Sequence, residues 1–97
     1  MVSVLYEENS VQIIGNVKNI DDYAIVKNAL MNMLDSGKQS FEVQFVDSSS
    51  ITSSVIGFML KLINVDKAEL KIAAGDKKLF ELLDELELKE VFKLREL

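Results

Sequence analysis

Cysteine, histidine and proline are all missing from this chain of 97 residues. Without cysteine there are no disulfides, no thiolate nucleophile and no thiolate-bound metal. Without histidine the usual general base and the commonest metal ligand are gone, and a Ser-His-Asp triad is impossible. Positive charge is scarce as well. Eleven basic residues stand against sixteen acidic ones, a net charge of −5, which works against non-specific binding to nucleic acid or to an anionic membrane. The longest strongly apolar run, Val55 to Leu60, is far below the roughly 20 residues that a membrane-spanning helix needs. No basic segment followed by a small-residue cleavage site marks the N-terminus as a signal peptide, so a cytoplasmic protein without membrane insertion is expected. The scattered carboxylates do not follow the spacing of a calcium loop. Gly75-Asp76-Lys77-Lys78 lacks the glycine-rich run ending in Gly-Lys-Ser/Thr of a phosphate loop. Neither a metal nor a cofactor is expected.

What is present is an apolar fraction of 48%, that of a folded protein, over a length that suits one domain with one core. Residues 1–97 are therefore read as a single domain. Val2, Val4 and Tyr6 alternate with polar or outward positions and predict a strand with one apolar face. The polar turn Glu7–Ser10 leads to a second strand through Val11, Ile13 and Ile14, so the two form a hairpin. Asn19 or Asp21 is placed to cap a first helix whose stripe is Tyr23, Val26, Leu30 and Met33. Ser36-Gly37 closes it, with Gly37 in the left-handed conformation common just past a helix end. Phe41–Phe45 alternates strictly and predicts a strand. The segment from Ser53 to Val65 is apolar on most sides, the pattern of a largely buried helix. Leu70–Ala74 is the next strand. Asp76 starts a third helix with Leu79, Leu82, Leu83 and Leu86 on one stripe, read as core, and Val91–Leu94 fits either an edge strand or a short helix. The order is β-β-α-β-α-β-α: an α/β fold with an initial hairpin, later parallel strands and right-handed crossovers.

The segment from Val46 to Leu60 carries the most chemistry. A strand runs through Asp47 and a cluster of serines and threonines directly into the apolar second helix. Hydroxyls are thereby lifted onto a helix N-terminus, where backbone N–H groups and the helix dipole favour negative charge. A phosphate on one of these serines would add nearly two negative charges to a surface that a partner can touch. The plain alternative is that Ser53 is an ordinary helix cap, and Ser50 and Thr52 compete for that place. A Ser-Lys pair with Lys61 is set aside, because Lys61 lies about 12 Å further along the helix axis from Ser53 at 1.5 Å per residue. No enzyme activity is expected.

The element order, the Ser/Thr turn, the helix from Ser53 to Val65 and the strand Leu70–Ala74 together resemble the STAS domain, the family that includes the bacterial anti-sigma factor antagonists. In those antagonists a signature of the form Asp-Ser-Ser-Gly-hydrophobic-Gly opens the second helix. Its first serine is phosphorylated by a partner kinase that is itself the anti-sigma factor. Laid on this sequence, the signature falls on Thr52-Ser53-Ser54-Val55-Ile56-Gly57. Thr52 stands where aspartate is usual and Val55 where the first glycine is usual.

The resemblance implies a module of signal transduction and transcription regulation that binds an anti-sigma serine kinase and is switched at Ser53, with Thr52 and Ser54 as lesser acceptors. It places Thr52, Ser53, Ser54, Val55 and Gly57 on the partner surface, with Asp76 at its border, in a protein that is a monomer or weak dimer. STAS-like domains also serve as fixed subunits of lipid-transport ATPase complexes and of signalling scaffolds. That is the alternative function, with Val55 in a permanent interface and Ser53 only a cap.

Overall fold

The computed structural model describes residues 1–97. Its elements are β1 (Ser3–Tyr6), β2 (Ser10–Ile14), α1 (Ile20–Asp35), β3 (Ser40–Phe45), α2 (Ser53–Asn64), β4 (Glu69–Ala74), α3 (Lys77–Glu85) and β5 (Arg95–Glu96). One five-stranded sheet runs in the order β1-β2-β3-β4-β5. The β1–β2 hairpin is antiparallel, and each later neighbour is parallel. The expected single-domain α/β fold and its element order are observed.

Because the strand order never reverses, right-handed crossovers set all three helices on one face of the sheet. The pleat agrees. Val11, Val43 and Ile72 stand in register, as do Ile13, Phe45 and Ala74, and all six are buried in the core beneath the helices. Alternate positions face the other way and are mostly polar. There Gln12 Nε2 donates to Gln44 Oε1 at 3.3 Å, and Gln44 Nε2 donates to Glu42 Oε1 at 2.7 Å. Arg95 grips Glu42 with two hydrogen bonds of 2.7 and 2.8 Å. These bonds lead in holding the Glu42 carboxyl below its ordinary range, against the burial that raises it. A depressed carboxyl contributes stability above its unfolded value, and this is lost as pH falls through the folded one.

Local signals explain the element ends. Asn19 Oδ1 accepts the Asp22 N–H at 2.9 Å, so Asn19 rather than Asp21 caps α1. Beyond α1, Gly37 takes φ +92°, and the N–H groups of Gly37 and Lys38 return to the carbonyls of Leu34 and Met33, as in a Schellman closure. The end of α3 repeats this pattern with a side chain in the left-handed position, Glu87 at φ 60°.

Three expectations are corrected. Helix α2 is not buried all round: Val55, Phe58, Met59 and Leu62 face the core, while Ser53, Ser54, Gly57, Lys61 and Asn64 are exposed, because helices on one side of a sheet leave their outer faces uncovered. The leucine stripe of α3 is core only at Leu79 and Leu83; Leu82 and Leu86 are exposed. Val91–Leu94 is neither edge strand nor regular helix. It is a turn that buries Phe92 and Leu94, and the pairing strand is the next two residues, Arg95 and Glu96.

Candidate functional site

Three parallel strands end at the same edge of the sheet, and each feeds a helix N-terminus there. β2 leads to α1 through residues 15–19, β3 leads to α2 through residues 46–52, and β4 leads to α3 through Gly75 and Asp76. In open α/β sheets ligands bind at this end of the strands, in the crevice where the strand order reverses. With no reversal of strand order there is no crevice between halves, so the edge is a surface built of loops.

The first two loops brace each other. Asp47 Oδ1 accepts the Gly15 N–H at 2.7 Å, and Ser48, fully buried, donates its hydroxyl to the Gly15 carbonyl. Asn16 Oδ1 accepts both the N–H of Ser49 at 2.7 Å and its hydroxyl at 3.2 Å. The Val17 N–H donates to the Ser50 carbonyl at 3.3 Å. Gly15 permits this with φ +100°, a conformation that other residues rarely adopt. On the other side Gly75 packs so closely on the end of β3 that a Cβ there would overlap the Val46 carbonyl, and its N–H donates to the Phe45 carbonyl at 2.8 Å. The start of α2 is thus held from both neighbours.

On that support, Thr52 is the cap: its Oγ1 accepts the Val55 N–H at 3.3 Å. Ser53 is the first helical residue and Ser54 the second. Both are exposed, and neither hydroxyl is taken up by a hydrogen bond within the chain. Ser50 is not the cap, and neither is Ser53. The first turn of α2 holds no acidic residue, so its N-terminal partial charge is uncompensated by the chain itself. Gly57 lies one turn on, exposed, with nothing within 4 Å of where its Cβ would be. No packing demand within the fold calls for glycine there.

Two members of the expected surface stand apart. Val55 is 1% exposed and belongs to the core, so its side chain is not on the surface that the resemblance assigned to it. Its position follows from geometry, since it lies on the same side of the helix as Met59 and Leu62. Asp76 caps α3, accepting the N–H groups of Lys78 at 2.8 Å and Leu79 at 3.4 Å. It shares the sheet edge with Ser53 but is held by its own helix. The bracing roles of Asn16, Asp47 and Ser48 were not anticipated. Gly15-Asn16 and Asp47, each just after a strand, are the only signals in the sequence that pointed to them.

No family model matches the chain, and no curated protein matches it. Solved structures do. The NMR structure of the protein TM1081 is similar with a TM-score of 0.68 at 19% identity, over 99% of this chain and 81% of that one. At that identity the likeness speaks to the fold. No helix of the protein is long and apolar enough to cross a membrane.

Proposed function

We propose that the protein is a regulatory docking module that works by partner exchange, in the manner of the anti-sigma factor antagonists of the STAS family. In this reading the exposed start of α2, with Thr52, Ser53, Ser54 and Gly57, docks on an anti-sigma factor that is also a serine kinase. Asp76 borders the contact. Phosphorylation at Ser53 adds charge and bulk to the docking face and releases the partner. The protein acts in the cytoplasm, is not itself an enzyme and holds no cofactor; nucleotide belongs to the kinase.

One observation carries the reading. The Ser53 hydroxyl is exposed and unengaged on the first turn of a helix that Thr52 already caps and that has no carboxylate of its own. A capping serine is held toward its helix by the backbone N–H that its oxygen accepts. Ser53 has no such duty, and a phosphate there meets the favourable end of the dipole. Gly57 adds to it, because an exposed mid-helix glycine without a packing reason costs about 1 kcal/mol relative to alanine. A low surface for a partner accounts for that cost.

The test is capture from native lysate on wild type, Ser53→Glu and Ser53→Ala, read by mass spectrometry. A kinase held by wild type and Ser53→Ala but lost by Ser53→Glu supports the switch. Equal capture of one partner by all three baits makes the chain a constitutive subunit, as in a transport complex or scaffold.

A further inference from the structure

The two edges of the sheet are guarded very differently. At one edge β5 is two residues long, and both of them, Arg95 and Glu96, are charged and exposed. At the other edge β1 runs Ser3-Val4-Leu5-Tyr6, twice as long, with none of the charges, prolines or glycines that discourage pairing on natural edges. β1 pairs only with β2, in the register Ser3–Ile14 to Tyr6–Val11. The Glu7 N–H donates to the Ser10 carbonyl at 2.9 Å. Hydrogen-bonded pairs alternate in an antiparallel ladder, so Leu5 and Ser3 bond to β2. Val4 and Tyr6 therefore turn their N–H and C=O groups outward. Two donors and two acceptors stand free on a straight edge. Beside them Leu5 on the open face is 54% exposed and Tyr6 on the helix face is 52% exposed. The Tyr6 ring is held in place by Asn32 Nδ2, which donates to its hydroxyl at 2.9 Å.

We infer that β1 is a homodimerisation edge, where two copies join antiparallel about a two-fold axis at Leu5 into one ten-stranded sheet. The occupant is a second copy because the strand is its own complement. With Leu5 on the axis, Val4 lies opposite the partner's Tyr6 and exchanges both hydrogen bonds with it. Tyr6 does the same with the partner's Val4, so all four free groups are satisfied. Leu5 meets the partner's Leu5 as a non-hydrogen-bonded pair, the closer kind of contact. Glu7 falls opposite the partner's Ser3, so no like charges face each other across the seam. Centring the axis on Val4 instead would set Leu5 against the partner's Ser3 and leave both leucines uncovered.

So short a seam lies below the roughly 1,000 Å² of a stable interface, and two bodies of net charge −5 repel. The dimer is therefore weak and strengthens as salt screens the repulsion. It leaves the start of α2 free, since that lies at the C-terminal edge of the parallel strands and not along β1. The inference is independent of the docking function.

Sedimentation equilibrium from about 10 μM to about 1 mM, a span that brackets weak association, tests it at low and high salt. Wild type is expected to pass from one chain to two, more readily at high salt. Leu5→Lys changes an exposed side chain and is expected to weaken association at least about tenfold. Val4→Pro removes an outward N–H without removing a bond of the sheet and is expected to abolish the dimer. Circular dichroism on each variant checks folding, and Leu5→Lys alone suffices if Val4→Pro fails it. A wild type that stays a single chain throughout overturns the inference. So does a dimer that survives Leu5→Lys unweakened.

Discussion

Helices α1 and α2 begin side by side at the same edge of the sheet and under the same backbone rules, yet their first turns are built oppositely. α1 is sealed. Asn19 caps it, Asp21 and Asp22 meet its dipole, and the carboxylate of Asp22, nearly buried, reaches back to accept the Lys18 N–H at 2.9 Å. α2 has a neutral cap and two exposed serines, with no acid in its first turn. Carboxylates near a helix N-terminus are worth about 0.3–1 kcal/mol each, so α2 forgoes stability that its neighbour has. The difference locates the one helix start on this edge where negative charge is absent and where a phosphate would supply it.

The comparison is broken most sharply on its sealed side. Asp22→Ala removes a carboxylate that accepts a backbone N–H, and hydrogen bonds to charged groups contribute roughly 1.5–3 kcal/mol. Urea unfolding of this variant should show a loss in that range. On the open side Thr52→Ala removes only a neutral cap and should cost about 1 kcal/mol. If Thr52→Ala proves as costly as Asp22→Ala, the start of α2 is sealed by something other than its cap and the contrast fails.

Gly57→Ala runs in the other direction. Open space at its Cβ position and a helical backbone mean that alanine should stabilise the fold by about 0.8–1 kcal/mol. If this face docks a partner, the same methyl should weaken capture. A variant that gains stability and still binds fully would remove Gly57 from the docking surface while leaving the fold account intact.

Much of this was legible before the structure, and the failures share a cause. Element order, the cap at Asp76 and the closure at Gly37 are local signals, readable from neighbouring residues, which also narrowed the cap of α1 to Asn19 or Asp21. The start of α2 at Ser53 was equally local. Ile56, Leu60 and Ile63 carry the side chains of core residues, and only the one-sided placement of helices reveals that they sit at the margin of an uncovered face. Val55 was assigned to a surface because a motif put it beside Ser53, whereas the turn of the helix puts it in the core. The braces from Asn16 to Ser49 and from Asp47 to Gly15 span more than thirty residues, and no window along the chain contains both partners. β5 is two charged residues whose strand character comes only from lying beside β4.

The finest contrast sets the same substitution at the same helical position in both helices. Ile20 and Ser53 are each the first residue of their helix, and each is exposed. Ser53→Asp places a carboxylate at a helix start that has none and should stabilise the fold by about 0.3–1 kcal/mol at low salt, an effect that salt screens away. Ile20→Asp places it next to Asp21 and Asp22, where repulsion between like charges offsets the dipole, so no gain is expected. Thermal unfolding of both variants across a salt series separates the cases. A gain at Ser53 alone, shrinking with salt, means that α2 is distinct in its electrostatics. It also means that a Ser53→Glu bait which loses its partner has lost it through the docking face and not through unfolding. Equal gains at both positions would reduce the contrast between the two helix starts to one of hydrogen-bonding geometry, and the missing charge at α2 would no longer mark Ser53 out.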